Sequence, residues 1–261
     1  FGVVATNIRL PLVMLNRTFL KPIFLFKSGY GEGEITLGGT KDAIRPYGQL
    51  FVNATEMFVF WLPDDQINMK GVSVTIDGNR ATTGRVPFFS TNAKTGQTVH
   101  GFGNLSAHFD GLSLLNYEIH ADDVDHPVFL WIPMAGQEVD IQGYAQGTFN
   151  LFGIGFETWL DGDVTISYMS MTMGIKGLAY WYEPAYVTST SFNVKTGKGV
   201  KFFYPNSPNP IISATLTENQ SFSFTYDHLT DEFEVDGTFA FRSGEIYYFQ
   251  KNFFITEGSM V

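Results

Sequence analysis

The densest group of side chains that could do chemistry lies between residues 120 and 126, where two imidazoles and three carboxylates share seven positions. Carboxylate oxygens are the ligands that Ca²⁺ prefers, whereas two imidazoles with one carboxylate suit Zn²⁺ or another transition-metal ion. The segment lacks the ligand spacing of an EF-hand and its terminal Glu, so we favour a solvated acidic loop, with calcium binding as the alternative. Calcium is the one cofactor that the sequence suggests. The candidate ligands are His120, Asp122, Asp123, Asp125 and His126.

Two further pairs of carboxylates could take part in glycoside hydrolysis, which needs an acid and a base or nucleophile on either side of one bond. Asp161 and Asp163 flank a glycine, and Asp64 precedes Asp65. Nothing in the sequence places one pair opposite the other. A hairpin turn at the first pair and a loop at the second explain the same residues without catalysis, and we favour that interpretation.

Motifs of the common hydrolases are absent from the chain. It has no His-Glu-x-x-His sequence and no Gly-x-Ser-x-Gly elbow, which are the motifs of zinc proteases and α/β-hydrolases. The glycine-rich segment 29–33 has no following Lys to contact a phosphate. The sequence therefore favours a non-enzymatic protein without excluding an enzyme.

Four Asn-x-Ser/Thr sequons are candidate glycosylation sites, provided that the protein passes through a secretory pathway. The chain starts at Phe1, not at Met, and processing after a signal peptide is the common natural cause. We therefore predict an extracellular or cell-surface location. The four acceptors are Asn16, Asn53, Asn104 and Asn219.

The elements that position these groups are predicted to be strands, because apolar and polar residues alternate along much of the chain. The alternation is clearest at 221–226 and at 232–241, where aromatic residues occupy every second position. Side chains at i and i+2 share one face of a strand, so each run predicts a strand with one buried and one solvated face. Similar runs recur from Ile35 to Phe249, and none has the period of a long helix. We predict an all-β fold, an antiparallel β-sandwich of jelly-roll type, with a large antiparallel β-barrel as the alternative.

Turn residues separate the runs. Asp-Gly pairs at 77–78, 110–111 and 161–162, with Thr196–Gly197 and Ser243–Gly244, supply the positive φ angles that tight hairpins need. On both sides of Asp161–Gly162 the alternation changes phase once, which predicts a β-bulge or a strand that passes between sheets. A glycine also precedes a strand in a recurring short motif, at Gly48, Gly103, Gly147 and Gly237.

Composition limits the classes of partner. The 261 residues carry a formal charge of −10 and no run of basic residues, which argues against nucleic acid because phosphate backbones bind clustered Lys and Arg. Cysteine is absent, so disulfides and thiolate metal sites are excluded. No apolar stretch reaches the length of a transmembrane helix. The high content of Phe and Tyr with few charges predicts a surface that binds partners.

An apolar N-terminal arm, residues 1–17, precedes a β-rich domain predicted over 18–261, either as one domain or as two packed subdomains. Pro11 cannot donate to a sheet ladder, so the arm is predicted to be an edge segment or a mobile extension. We expect a secreted structural protein, a subunit of a cell-surface or filamentous assembly, that self-associates by strand addition through this arm. The alternatives are a β-barrel that binds a small apolar ligand such as a lipid or pigment, and a carbohydrate-active or cyclase-type enzyme on a barrel.

Overall fold

The computed structural model describes residues 2–17, 24–40, 43–59, 62–111, 113–122, 124–134, 139–154, 157–173, 188–205, 209–230, 232–256 and 258–260. Strands hold 81% of them, and the helical structure among them is a 3₁₀ segment, Leu12–Arg17. The predicted all-β fold of antiparallel strands is confirmed. Within these ranges no helix has the length and hydropathy needed to cross a membrane. Residues 174–187, which lie within the predicted series of strands, are outside the described residues.

Within the described ranges, twenty strands follow one another in sequence. They are β1 (Gly2–Pro11), β2 (Phe24–Thr40), β3 (Ala43–Val59), β4 (Leu62–Asp77), β5 (Arg80–Thr83), β6 (Val86–Asn92), β7 (Thr98–Asp110), β8 (Ser113–Asp122), β9 (Val128–Met134), β10 (Val139–Gly147), β11 (Phe149–Ile154), β12 (Glu157–Met173), β13 (Ser189–Thr196), β14 (Lys201–Tyr204), β15 (Ile212–Leu216), β16 (Ser221–Asp227), β17 (Glu232–Gly237), β18 (Phe239–Tyr248), β19 (Lys251–Ile255) and β20 (Gly258–Met260).

The chain divides into two compact units. Unit 1 contains Phe1–His126 and Thr148–Trp159, and unit 2 contains Pro127–Gly147 and Leu160–Val261. Strand β12 begins in unit 1 and continues in unit 2.

In unit 1, β1, β2, β3 and β4 pair antiparallel in chain order. Strand β4 pairs with both β5 and β6, these pair with β7, and β8 lies between β7 and β11. Directly paired residues share a face, so the register places Ile8, Leu50 and Val74 on one side of the first four strands. Arg9 and Glu32 lie on the other side.

In unit 2, β10 pairs with β9 and β12, and β16 pairs with β13 and β17. Strand β18 pairs with β15 along one edge and with β19 and β20 along the other. Strands β12 and β14 form a parallel pair. The aromatic alternation is borne out in β16, where Phe222, Phe224 and Tyr226 are all buried in the core while the residues between them are not.

The turn predictions are only partly correct. Gly78 and Gly111 have φ angles of 65° and 62° and end strands as expected. Hairpins at Asp161–Gly162 and Ser243–Gly244 are wrong, because β12 and β18 run through them and neither glycine adopts a positive φ. The predicted bulge is confirmed on the C-terminal side of Asp161–Gly162, where the register between β10 and β12 shifts beside Tyr168, whose φ is 48°. On the N-terminal side no bulge is found within β11, which pairs with β8 from Phe149 to Ile154 without a register shift.

Candidate functional site

The acidic segment 120–126 starts within β8, which ends at Asp122, and its first described carboxylate pairs with a cation from elsewhere in unit 1. Asp122 Oδ1 lies 3.1 Å from Arg85 Nη2, and the Arg85 guanidinium is stacked 4.2 Å from the centroid of the Phe102 ring. The second oxygen, Asp122 Oδ2, lies 3.5 Å from His120 Nε2. Both oxygens of the Asp122 carboxylate therefore have partners within the protein.

The second described carboxylate of the segment, Asp125, is held by His100 on β7. Its Oδ1 accepts the His100 backbone N–H at 2.8 Å, and its Oδ2 lies 3.2 Å from His100 Nδ1. The backbone hydrogen bond from His100 is the main cause that lowers the pKa of Asp125, and the imidazoles of His100 and His126 add to it. Asp125 therefore stays ionised without a metal ion.

The histidines do not converge with these carboxylates on a common point. His120 Nδ1 is hydrogen bonded to Asn150 Oδ1 across the β8–β11 pair, and His126 Nδ1 lies 3.8 Å from Asp125 Oδ1. Among the described residues, no three His, Cys, Asp or Glu side chains form a group that could hold a metal ion. Asp123 lies outside those residues, so calcium binding by this segment stays a prediction.

The sequons differ in how their amides are used. Asn16 makes two hydrogen bonds to the backbone of Phe26, at 2.8 and 2.9 Å, and Asn53 Oδ1 accepts the Gly71 N–H at 2.9 Å. Asn104 and Asn219 are exposed, and Asn219 adopts a turn conformation with a φ of 62°. A glycan on Asn16 would be attached to the nitrogen that donates to Phe26, so the exposed pair are the better acceptors.

Asp65 belongs to a buried polar cluster that the sequence does not reveal. It lies in β4 and not in a loop as predicted, directly opposite Asn92 of β6. Its two oxygens accept hydrogen bonds from Ser90 Oγ at 2.8 Å and Asn92 Nδ2 at 2.7 Å. To predict this cluster from the sequence, the register between β4 and β6 would have to be known. Both carboxylate oxygens are occupied, which favours a structural role.

Three other carboxylates lie on strands outside the Asp65 cluster: Asp161 and Asp163 on β12, and Asp140 on β10. Asp163 Oδ1 accepts a hydrogen bond from Asn193 Nδ2 at 2.8 Å, and Asp161 is exposed on β12. In unit 2, Asp140 accepts a hydrogen bond from the Trp131 indole N–H at 2.7 Å. Burial raises the pKa of Asp140, although that hydrogen bond opposes the shift. Because β12 runs through both residues, Asp161 and Asp163 share one face of that strand, and their role in glycoside hydrolysis stays a hypothesis.

The N-terminal arm presents the most unusual surface of unit 1. Strand β1 pairs with β2 of its own chain, so of the two predicted forms the structure has the edge strand. No described strand pairs with its other edge. Val3 and Val4 are 54% and 63% exposed although they point to opposite faces of the strand. An apolar edge with unpaired backbone groups is the feature best suited to bind another strand.

Comparison with known proteins adds no further evidence about function. No family model matches this chain, and none of the curated proteins or solved structures compared with it is significantly similar. What the protein does must therefore be inferred from its own residues.

Proposed function

We propose that this chain is a non-enzymatic structural protein that self-associates at the outer edge of β1, as a subunit of a secreted cell-surface or filamentous assembly. The observation that supports this proposal is the exposed, apolar and unprotected edge at Gly2–Ala5. Unpaired N–H and C=O groups along such an edge form a template for a further strand. The occupant is a strand from a second copy of the chain.

The usual protection of sheet edges is confined to the part of β1 that follows Ala5. Natural edges carry charges, prolines or bulges that prevent further pairing. The one charged residue of β1 is Arg9, which forms an ion pair with Glu32 at 3.2 Å and stacks over the Tyr30 ring at 4.3 Å. That contact neutralises the charge within the same chain.

A bulge and a proline restrict where the new strand can pair. The β1–β2 register shifts between Ala5 and Ile8, where Asn7 adopts a φ of 55°, and Pro11 has no N–H to donate. The continuous part of the outer edge is therefore the segment before the bulge. Because both faces of this segment are apolar and exposed, a paired strand would bury Val3 and Val4 together.

The arm also belongs to the fold of its own chain, and this decides which variant tests the proposal. Leu12 is buried and Asn16 is bonded to Phe26, so a deletion of the first 15 residues would damage unit 1 and expose the edge of β2. Replacement of the two exposed valines, Val3→Lys with Val4→Lys, keeps the strand and places two charges at its edge.

Light scattering coupled to size-exclusion chromatography, over a dilution series of the full chain, measures the effect. We expect the parent to form oligomers and the double lysine variant to associate at least about tenfold more weakly, a loss of about 1.4 kcal/mol. The matched control, Leu115→Lys with Ile154→Lys, removes two exposed apolar side chains of unit 1 on β8 and β11, strands that do not pair with β1, and it should associate as the parent does. A parent that stays monomeric at its highest soluble concentration, or a variant that associates equally well, would refute the proposal.

A further inference from the structure

The hairpin formed by β18 and β19 ends in a cluster of exposed rings, which we call the aromatic tip, residues 247–254. Exposure of its five aromatic side chains runs from 50% at Tyr247 to 79% at Phe249. Large apolar side chains that are exposed as a contiguous group mark a binding surface. The rings belong to Tyr247, Tyr248, Phe249, Phe253 and Phe254.

The rings project from both faces of the hairpin. Ile246 is paired with Phe253, and Glu245 is paired with Phe254, so Phe253 and Phe254 lie on opposite sides of the two-stranded ribbon. A folded protein partner packed against one side would leave the rings on the other side in water. A medium that surrounds the tip would bury both sets.

The turn that carries the most exposed ring uses residues that rarely occupy it. Phe249 and Gln250 have φ angles of 47° and 61°, which is the arrangement of a type I′ turn and strongly favours Asn and Gly. Neither Phe nor Gln is among the residue types that adopt this conformation readily. The fold thus holds a bulky aromatic residue at the end of the hairpin, where Asn would be more stable.

Charges are segregated along the hairpin. In a chain with a net charge of −10, the segment 246–256 carries a single charge, the cation Lys251 beside the turn. In the sequence, the acidic residues Glu245 and Glu257 come directly before and after this segment. The end of the hairpin is therefore apolar and locally positive, which complements the phosphate groups and acyl chains at the surface of a lipid bilayer.

We propose that the aromatic tip inserts into the interfacial region of a lipid bilayer. Phe249, Phe253 and Phe254 enter the boundary between headgroups and acyl chains, and the two tyrosines keep their hydroxyls at the headgroups, the usual position of amphipathic rings. Lys251 contacts lipid phosphate. This attachment involves unit 2 alone and is independent of association through β1.

Flotation of the full chain with vesicles tests the proposal. The vesicles are phosphatidylcholine alone and phosphatidylcholine mixed with phosphatidylglycerol. The test variant, Phe249→Asn with Phe254→Thr, suits a positive φ and a strand, so that it should fold at least as well as the parent. The matched control is Tyr168→Asn with Leu229→Thr. Tyr168 is another aromatic residue with a positive φ, and Leu229 is another large apolar side chain, 71% exposed.

We expect the parent and the control to float with both kinds of vesicle, and the tip variant to lose about tenfold in partitioning per ring, about a hundredfold in all. Lys251→Gln should lower the preference for the anionic vesicles about fivefold. A Phe249→Trp variant should show a blue shift in emission when vesicles are added.

Three results would overturn the proposal: a parent that binds neither kind of vesicle, a tip variant that binds as the parent does, or a tip variant whose defect is weaker self-association without any change in vesicle binding. The last result would show that the tip is a contact between copies. The variant Val3→Lys with Val4→Lys should keep full vesicle binding, so failure of the proposed function and failure of membrane insertion are distinguishable.

Discussion

Polar side chains in this protein hydrogen bond to partners on neighbouring strands, and Asp140 shows how burial of such a side chain can reduce the stability of the fold. Burial raises its pKa above the ordinary value of 3.8, so the folded state holds the proton more tightly than the unfolded chain. The stabilisation from this proton is complete below the unfolded pKa and is lost as pH rises through the folded pKa. At neutral pH the molecule carries a partly desolvated carboxylate.

We predict that Asp140→Asn is more stable than the parent at neutral pH and equally stable at acid pH, because the amide oxygen still accepts the Trp131 N–H. Urea unfolding, followed by tryptophan fluorescence at both pH values, measures the difference. Asp140→Ala serves as the control, since it also removes the charge but lacks the acceptor, and it should be about 1 kcal/mol less stable than the Asn variant at either pH. A stability gain for the Asn variant that appears only at acid pH would contradict the assignment.

Among the strands, the long β2–β3 hairpin depends on glycines inside its arms. Gly48 has a φ of 154°, and a β-carbon there would collide with the backbone carbonyl of Glu34 on β2. Gly147 and Gly237 have φ angles of 156° and 153°. Three of the four glycines in the recurring sequence motif therefore share one backbone conformation, which lets paired strands approach closely.

We predict that Gly48→Ala destabilises unit 1 by at least about 2 kcal/mol, since the strained backbone and the contact with a rigid carbonyl both oppose the methyl group. Gly96→Ala is the matched control. It has a positive φ of 69° but nothing near its β-carbon, so it should cost about 1 kcal/mol. Thermal unfolding of both variants provides the comparison, and equal losses would show that φ alone matters.

The molecule as a whole combines a high strand content with an acidic, ring-rich surface. Its two proposed contacts, the β1 edge and the aromatic tip, lie in separate units and use different physics: backbone pairing in one and burial of rings in the other. Each contact can be removed without the other. Variants of the β1 edge should lose self-association alone, and variants of the aromatic tip should lose vesicle binding alone.

We predict that far-ultraviolet circular dichroism of the full chain shows a strand-dominated spectrum with a helix content below about a tenth, against about a third in an average soluble domain. Among the described residues, the 3₁₀ segment Leu12–Arg17 is the one helical element. A spectrum with helix at the average level would contradict the fold.

The sequence by itself determined the fold class, because alternation is a local property. In β16 and β13 every second residue is buried, and the pattern needs no knowledge of the partner strand. The bulge at Tyr168 could also be predicted, since the phase change occurs within one strand. The false turn at Asp161–Gly162 shows the limit of this reasoning, because an Asp-Gly pair also fits within an extended strand.

Only the tertiary structure decided which polar groups meet. Asp122 was grouped with its neighbours in sequence, yet its cation is Arg85, 37 positions away, and Asp65 meets Ser90 across 25 positions. The free edge of β1 and the two-sided aromatic tip also depend on which strands pair. Pairing is set by the free energy of burying whole faces, and this depends on residues far apart in the chain, so a local pattern predicts a strand but not its neighbour.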